Sequence, residues 1–300
     1  MTVLESIQKS AEFLQKKGVE PARLHAELLL AHVLKLPRMK LYLNFERALS
    51  SQETDALREL VRRRGQREPL QHITGSTSFC GFEVAVNQNV LVPRPETELL
   101  AEEGWKFLTN VPHPRPLSGP AGERGSDCMP ITALDFGTGS GCIAIALAAK
   151  VQNANIFALD VSAEALALAR HNAQLNQVAE HIQFFHGDGF AALPEGTANS
   201  FDLIISNPPY IATAEIETLD PEVRDFDPRN ALDGGADGLD FYRRLANESV
   251  NFLKPGGQIM VEFGDDQAEP IRAIFETQKW IVEAIREDYT QRQRILIARL

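Results

Sequence analysis

Residues 206–210 read Ser206-Asn207-Pro208-Pro209-Tyr210 and follow the apolar run 201–205. They therefore fall at the carboxyl end of a predicted buried strand, where open α/β sheets hold their ligands. Proline restricts its own φ and pushes the preceding residue toward extended backbone, so Asn207 and Pro208 are both held in a defined, open geometry. The Asn207 side-chain oxygen and the Pro208 carbonyl then form two fixed acceptors beside the flat ring of Tyr210. Such a cradle suits a planar –NH2 group. An amide or aromatic amine is a poor nucleophile because its lone pair is delocalised. Acceptors on both N–H bonds draw the nitrogen toward tetrahedral geometry while the ring orients its plane. No strong base is needed. The purely structural alternative is a proline-stiffened turn capped by Asn207.

A second candidate site precedes it. Asp135-Phe136-Gly137-Thr138-Gly139-Ser140-Gly141 joins a predicted strand to a predicted helix, and glycines there permit a tight turn with a ligand against bare backbone. The dinucleotide fingerprint requires Gly or Ala at 142, where this chain has Cys142, so a nicotinamide cofactor is disfavoured. Asp160 ends the next strand, placed to bind both hydroxyls of a ribose. Asp188, after the third strand, is placed to meet an adenine amine, with Gly189 or Phe190 beside the base. A nucleoside is expected, with no pyrophosphate required.

These residues need a frame, and the hydrophobic pattern supplies one. Strands are predicted at 131–136, 155–159, 182–185, 201–205, 258–263, 280–285 and 294–298, the last two as an antiparallel hairpin, with helices at 142–150 and 162–175. This is a doubly wound α/β sheet of seven strands with helices on both faces. Ahead of it, Leu4, Ile7, Ala11 and Leu14, then Leu24, Leu28, Ala31 and Leu34, recur at helical spacing, and Ser50 with Glu53 is spaced as a capping box for a third helix ending at Gly65. The expected organisation is a helical bundle over 1–75, a β-hairpin over 76–92 with its turn at Asn87-Gln88-Asn89, and the sheet domain over 93–300. Pro95 and the acids after it suit the first turn of another helix. Prolines and glycines across 110–130 predict a surface loop. Arg62-Arg63-Arg64 either complements a helix dipole or offers a docking surface for an acidic or nucleic-acid-like partner. His25 and His32 have no third ligand in sight and read as packing or surface residues, so no metal is expected.

Composition narrows the partners. The net charge of −11 disfavours a generic phosphate-backbone binder. It is unevenly spread: residues 1–75 hold 13 Lys and Arg against 9 Asp and Glu, a balance of +4, which leaves −15 for the rest. Cys80, Cys128 and Cys142 form no C-x-x-C pair, which argues against a disulfide framework or zinc site. With no apolar leader and no stretch long enough for a membrane span, a cytoplasmic protein is expected.

The glycine loop, Asp160, Asp188 and Asn207–Tyr210, in that order on successive strands, resemble the class I methyltransferases that use S-adenosylmethionine, and Asn-Pro-Pro-Tyr resembles the subset that methylates amino nitrogens. Glu68-Pro69-Leu70 with Gly75, the 93–98 segment, Asn207–Tyr210 and the 231–240 segment together resemble the HemK/PrmC family, the peptide chain release factor N(5)-glutamine methyltransferases. The likeness spans nearly the whole chain; the 110–130 loop is its main departure. It implies S-adenosylmethionine held by Gly137, Thr138, Gly139, Ser140, Gly141, Asp160, Asp188, Gly189 and Asn207, and a catalytic loop of Asn207, Pro208, Pro209 and Tyr210. It also implies a helical head that grips the release factor, no direct nucleic-acid partner, no membrane and a monomeric enzyme. The competing expectations are a nucleic-acid amino methyltransferase acting on a flipped base, and a non-catalytic module retaining the fold.

Overall fold

The computed structural model describes residues 1–111 and 130–300, which form two compact units. Most of the expected 110–130 loop lies outside the described residues.

The first unit comprises Met1–Ser76 with Val86–Gln88 and Thr218–Asp227. It holds α1 (Val3–Lys16), α2 (Ala22–Leu34), α3 (Arg38–Leu41), α4 (Ser51–Gly65) and α5 (Leu70–Thr74). Ser50 and Glu53 close the expected capping box on α4, and Thr2 with Glu5 does the same for α1, each pair satisfying orphan donors at a helix start. The helical repeat buries Ile7, Leu14, Leu29, Leu30, Leu57 and Val61 in one apolar interior. The arginine run is engaged within the unit. Arg62 binds Glu59, Arg63 binds Glu68, and the buried Arg64 donates to His25 Nδ1 at 2.9 Å and to Glu222 at 2.7 Å. Burial, followed by the Arg64 charge, lowers the His25 pKa to about 4, so its ring stays neutral and accepts that bond.

The second unit comprises Thr77–Ala85, Asn89–Glu217 and Pro228–Leu300. It opens with β1 (Ser76–Phe79) and β2 (Phe82–Ala85), a tighter hairpin than expected. The turn is Cys80-Gly81, not Asn87–Asn89, because both central residues take positive φ, 50° and 84°, the geometry that matches the twist of two-residue hairpins. Val90 and Val92 are buried and Leu91 half-buried, but the segment forms no strand. Next comes α6 (Pro95–Asn110), whose Glu98 accepts from the Cys80 amide at 2.8 Å and ties that turn down.

The sheet and its helices follow: β3 (Ile131–Phe136), α7 (Cys142–Lys150), β4 (Ala154–Asp160), α8 (Ala163–Leu175), β5 (Ile182–His186), β6 (Phe201–Ser206), α9 (Pro221–Arg224), α10 (Asp240–Glu248), β7 (Leu253–Glu262), α11 (Ala268–Thr277), β8 (Ile281–Glu287) and β9 (Gln293–Arg299), α9 lying in the segment that belongs to the first unit. The strand order is β5-β4-β3-β6-β7-β9-β8, parallel from β5 to β7, with β9 antiparallel to both β7 and β8. All seven expected strands are present in a class I arrangement. β3 and β6 are buried along their whole length, as mainly apolar strands in the middle of a parallel sheet should be, and they carry Thr132, Asp135, Asp202 and Ser206 inside with them. β7 starts earlier than expected: Leu253 pairs with Phe201, then Lys254–Gly257 bulge out before Gln258 rejoins opposite Leu203. From β3 the chain winds outward through β4 and β5, then returns to lay β6 on its other side. That reversal opens a crevice at the carboxyl ends of β3 and β6, and both candidate motifs sit there.

Candidate active site

One cleft in the second unit gathers the carboxyl-terminal ends of β3, β4, β5 and β6. It is lined by Gly137–Ser140, Asp160–Ser162, Gly187–Gly189, Asn207 and Pro209, with Asn89–Leu91, Arg94 and Thr97 on one side and Asn230, Phe241 and Arg244 on another.

The loop after β3 is braced from beneath. Gly137 and Thr138 amides donate to the Leu159 carbonyl at 2.9 Å, and the Thr138 hydroxyl donates to Asp135 at 2.6 Å. The Ser140 carbonyl accepts from Asn172. Gly137 and Gly139 take φ of 75° and 54°, and a Cβ at either would meet nothing within 4 Å. Bare backbone with open space above it is the surface a ligand needs for close approach. Asp135 is fully buried, and burial raises its carboxyl to about 7 against the pull of Thr138 and the Ala144 amide.

Asp160 faces the cleft from β4. Its Oδ2 accepts from Gly139 N at 2.8 Å and its Oδ1 from Ser162 N at 2.9 Å. Each oxygen keeps a further lone pair, enough for two ribose hydroxyls. Burial raises its pKa, opposed by those backbone bonds. Asp188 is differently engaged: its carboxylate meets Arg244 Nη1 at 2.5 Å, and its carbonyl meets Nη2 of the same guanidinium at 3.2 Å. Arg244 also binds Glu248, so α10 carries a charged strut to the cleft wall at Asp188 and Gly189. An adenine amine at Asp188 would share that carboxylate with arginine.

The Asn-Pro-Pro-Tyr loop leaves β6 through Ser206, whose buried hydroxyl donates to the Phe136 carbonyl at 2.7 Å. Asn207 Nδ2 donates to Thr97 Oγ1 at 3.0 Å, while Asn207 Oδ1 is buried with no partner among the described residues. A buried amide oxygen left unpaired costs roughly 1–3 kcal/mol, so Oδ1 is an acceptor open to a bound group. Pro209 lines the cleft; Pro208 is buried, and neither it nor Tyr210 is part of the lining. Tyr210 packs on the apolar core, its carbonyl accepts from Gln267 at 2.8 Å, and burial pushes its phenol up to about 12, so the ring is neutral. Beneath the loop lies Glu262 at the end of β7. It is 2 % exposed, and burial raises it to about 7 against the opposing pull of nearby Thr97 and Asn207; its Oε2 has no partner among the described residues.

These residues fit a nucleoside-containing donor: open backbone at two glycines, a carboxylate with spare acceptors, and an unpaired oxygen beside them. Among the described residues no group of three or more His, Cys, Asp or Glu could hold a metal, and no helix is long and apolar enough to cross a membrane.

The chain resembles known proteins over most of its length. The family model for the PrmC N-terminal domain matches residues 5–75, and that for the methyltransferase small domain matches residues 128–220. The release factor glutamine methyltransferase of Geobacter sulfurreducens is 43% identical over 274 residues, covering 91% of this chain and 88% of that protein. This chain belongs to that family. The Chlorobaculum tepidum family member is 39% identical over 98% of this chain and 95% of its own length. Among solved structures, a methyltransferase from Pyrococcus furiosus superposes with a TM-score of 0.52 at 20% identity, covering 79% of this chain and 97% of that one. The human methyltransferase 10 domain containing protein does so at 0.50 and 16%, covering 73% and 88%. Both show the class I fold alone. As a member of the release factor glutamine methyltransferases, the chain is an enzyme of a methyltransferase family, and its fold class implies S-adenosylmethionine as donor.

Sequence reading overlooked Thr97, Glu262 and Arg244. Glu262 did leave a signal, a lone acid in the apolar run 259–263. Thr97 left none beyond its place in the 93–98 segment, since it meets Asn207 across 110 residues of chain.

Proposed function

We propose that this enzyme transfers a methyl group from S-adenosylmethionine to the side-chain amide nitrogen of the glutamine in the Gly-Gly-Gln motif of peptide chain release factors. The observation that carries this is the unpaired Asn207 oxygen, beside a glycine loop and a ribose-competent carboxylate. Gly137–Gly141, Asp160 and the Asp188–Gly189 turn hold the donor, with Asn207 adjacent. When bound, the donor supplies a methyl on a sulfonium, a good leaving group. Asn207 Oδ1 and the Pro208 carbonyl accept the two N–H bonds of the substrate carboxamide. Pro209 shapes the cleft, and Tyr210, packed on the apolar core beside it, fixes the loop that carries Asn207. These residues hold nitrogen and methyl in line and keep water out. The nitrogen becomes acidic enough on methylation to release a proton, so no strong base is required.

The helical region over 1–75 grips the release factor, and 76–92 joins it to the transferase region over 93–300. The enzyme acts in the cytoplasm as a monomer. The test is labelled methyl donor offered with release factor, with its Gln-to-Ala variant and with DNA. Label on the factor alone supports the reading. Label on DNA but not on protein would replace it with a nucleic-acid amino methyltransferase.

A further inference from the structure

We propose that Thr97 and Glu262 are positioning residues that set which way round the Asn207 amide faces, so that the cleft presents an acceptor and not a donor. This deepens the reading just given and rests on it. An asparagine amide has two ends of nearly equal shape but opposite polarity, and only its oxygen end can receive a carboxamide N–H. Something must decide between them.

A one-way chain of hydrogen bonds makes the decision. A carboxylate only accepts. Glu262 lies close enough to the Thr97 hydroxyl and to Asn207 for both to hold its pKa down, and its Oε2 is buried with no partner among the described residues. Thr97 Oγ1 accepts from Asn207 Nδ2 at 3.0 Å, which leaves the hydroxyl's own proton to face an acceptor such as the Glu262 carboxylate. Both inner neighbours of Asn207 are thus acceptors, which fixes the NH2 end inward and leaves Oδ1 unpaired on a cleft-lining residue. An amide turned the other way would set its oxygen against the carboxylate and its N–H bonds against those of the substrate.

The three residues come from separate elements. Thr97 stands in the first turn of α6 and is 3 % exposed, Glu262 ends β7, and Asn207 follows β6. The surroundings of Glu262 are mixed: Glu96 on α6 repels its charge, Arg294 on β9 attracts it, and the neutral phenols of Tyr210 and Tyr242 are close. The Tyr242 hydroxyl is committed to the Glu262 carbonyl at 2.8 Å and does not compete for the carboxylate. Glu262 titrates near 7. Protonation would give it a donor of its own and remove an acceptor, so the device loosens as pH falls through that region.

The experiment compares Thr97→Val, which keeps the shape and loses the hydroxyl, with Thr97→Ser, which keeps the hydroxyl, and with Glu262→Gln. Donor affinity is read by calorimetry and methyl transfer to intact release factor by single-turnover rate from pH 6 to 8. Thr97→Val and Glu262→Gln are expected to slow transfer about 10- to 100-fold with donor affinity within about twofold, while Thr97→Ser recovers most of the rate. The native rate should fall toward pH 6, and that of Glu262→Gln should stay flat. Transfer by Thr97→Val at the native rate, or equal slowing in Thr97→Ser, would overturn the proposal and assign Thr97 to packing. Loss of donor binding in both Thr97 variants would overturn it equally. If the native enzyme methylates the factor and Thr97→Val does so equally well, only this inference fails. A native enzyme that leaves the factor unlabelled refutes the underlying function.

Discussion

At the residue scale the proposed reaction divides its work between a carboxylate and an amide oxygen. Asp160 has two lone pairs left after its backbone bonds. Asp160→Ala should therefore weaken donor binding by about 1.5–3 kcal/mol, roughly 10- to 100-fold in calorimetric affinity. A change under twofold would remove Asp160 from the donor site. Asp135 has a different consequence. Its carboxyl is raised from 3.8 to about 7 by full burial. In the interval between those values the folded state holds a proton that the unfolded chain has released, so this group's contribution to stability falls as pH rises from about 4 to 7. His25, lowered to about 4, works in the opposite sense, its contribution being lost as pH falls from 6.5 toward 4. Replacing Asp135 by Asn should isolate the first effect. Relative to the native protein, the variant should gain roughly 3 kcal/mol between pH 4 and pH 7 in urea unfolding. A pH-independent difference would show that Asp135 does not titrate there.

At the scale of elements, the seven strands were legible because the buried parallel strands are mainly apolar runs. The glycine loop and Asn-Pro-Pro-Tyr were legible because backbone chemistry, not distant packing, defines them. Two of the longer helices were not. α10 starts at Leu239 without a side-chain cap, and α11 carries Pro270, which reads as a breaker. Proline is tolerated in that first turn because its missing N–H would have had no intrahelical partner. The hairpin was misplaced because Cys80 adopts a left-handed backbone that its residue type does not advertise. The brace under the Asn-Pro-Pro-Tyr loop was also hidden, being long-range: Gln267, ahead of α11, donates to the Tyr210 carbonyl at 2.8 Å and accepts from the Gly264 amide at 2.9 Å. Gln267→Ala frees both groups at once. It should cost about 1–3 kcal/mol in thermal unfolding, and methyl transfer should slow more than donor affinity falls. Native stability with native rate would show that the loop holds itself.

For the molecule as a whole, charge separates the two regions: the acidic balance lies beyond residue 75, while the helical region is mildly basic. That region also shows water two large apolar side chains, Met39 at 70 % and Leu43 at 76 % exposure. Exposed apolar side chains of this size suit contact with a protein partner. The double variant Met39→Asp with Leu43→Asp should raise KM for intact release factor about tenfold, the effect of losing roughly 1.4 kcal/mol of contact, with donor affinity unchanged. An unchanged KM would move the gripping surface elsewhere. The site itself is a product of topology. The reversal of winding at β3 and β6 brings Asn207 beside the glycine loop, and the return of β7 sets Glu262 beneath it.

The unpaired oxygen of Asn207 is the feature on which the proposed reaction depends. Single-turnover transfer to release factor by Asn207→Ala, with donor affinity measured on the same preparation, tests it most directly. The rate should drop about 10²- to 10³-fold, the usual cost of removing one preorganised group from a reacting centre, while the donor binds as before. Transfer within a fewfold of the native rate, or a loss of donor affinity matching that of Asp160→Ala, would contradict it.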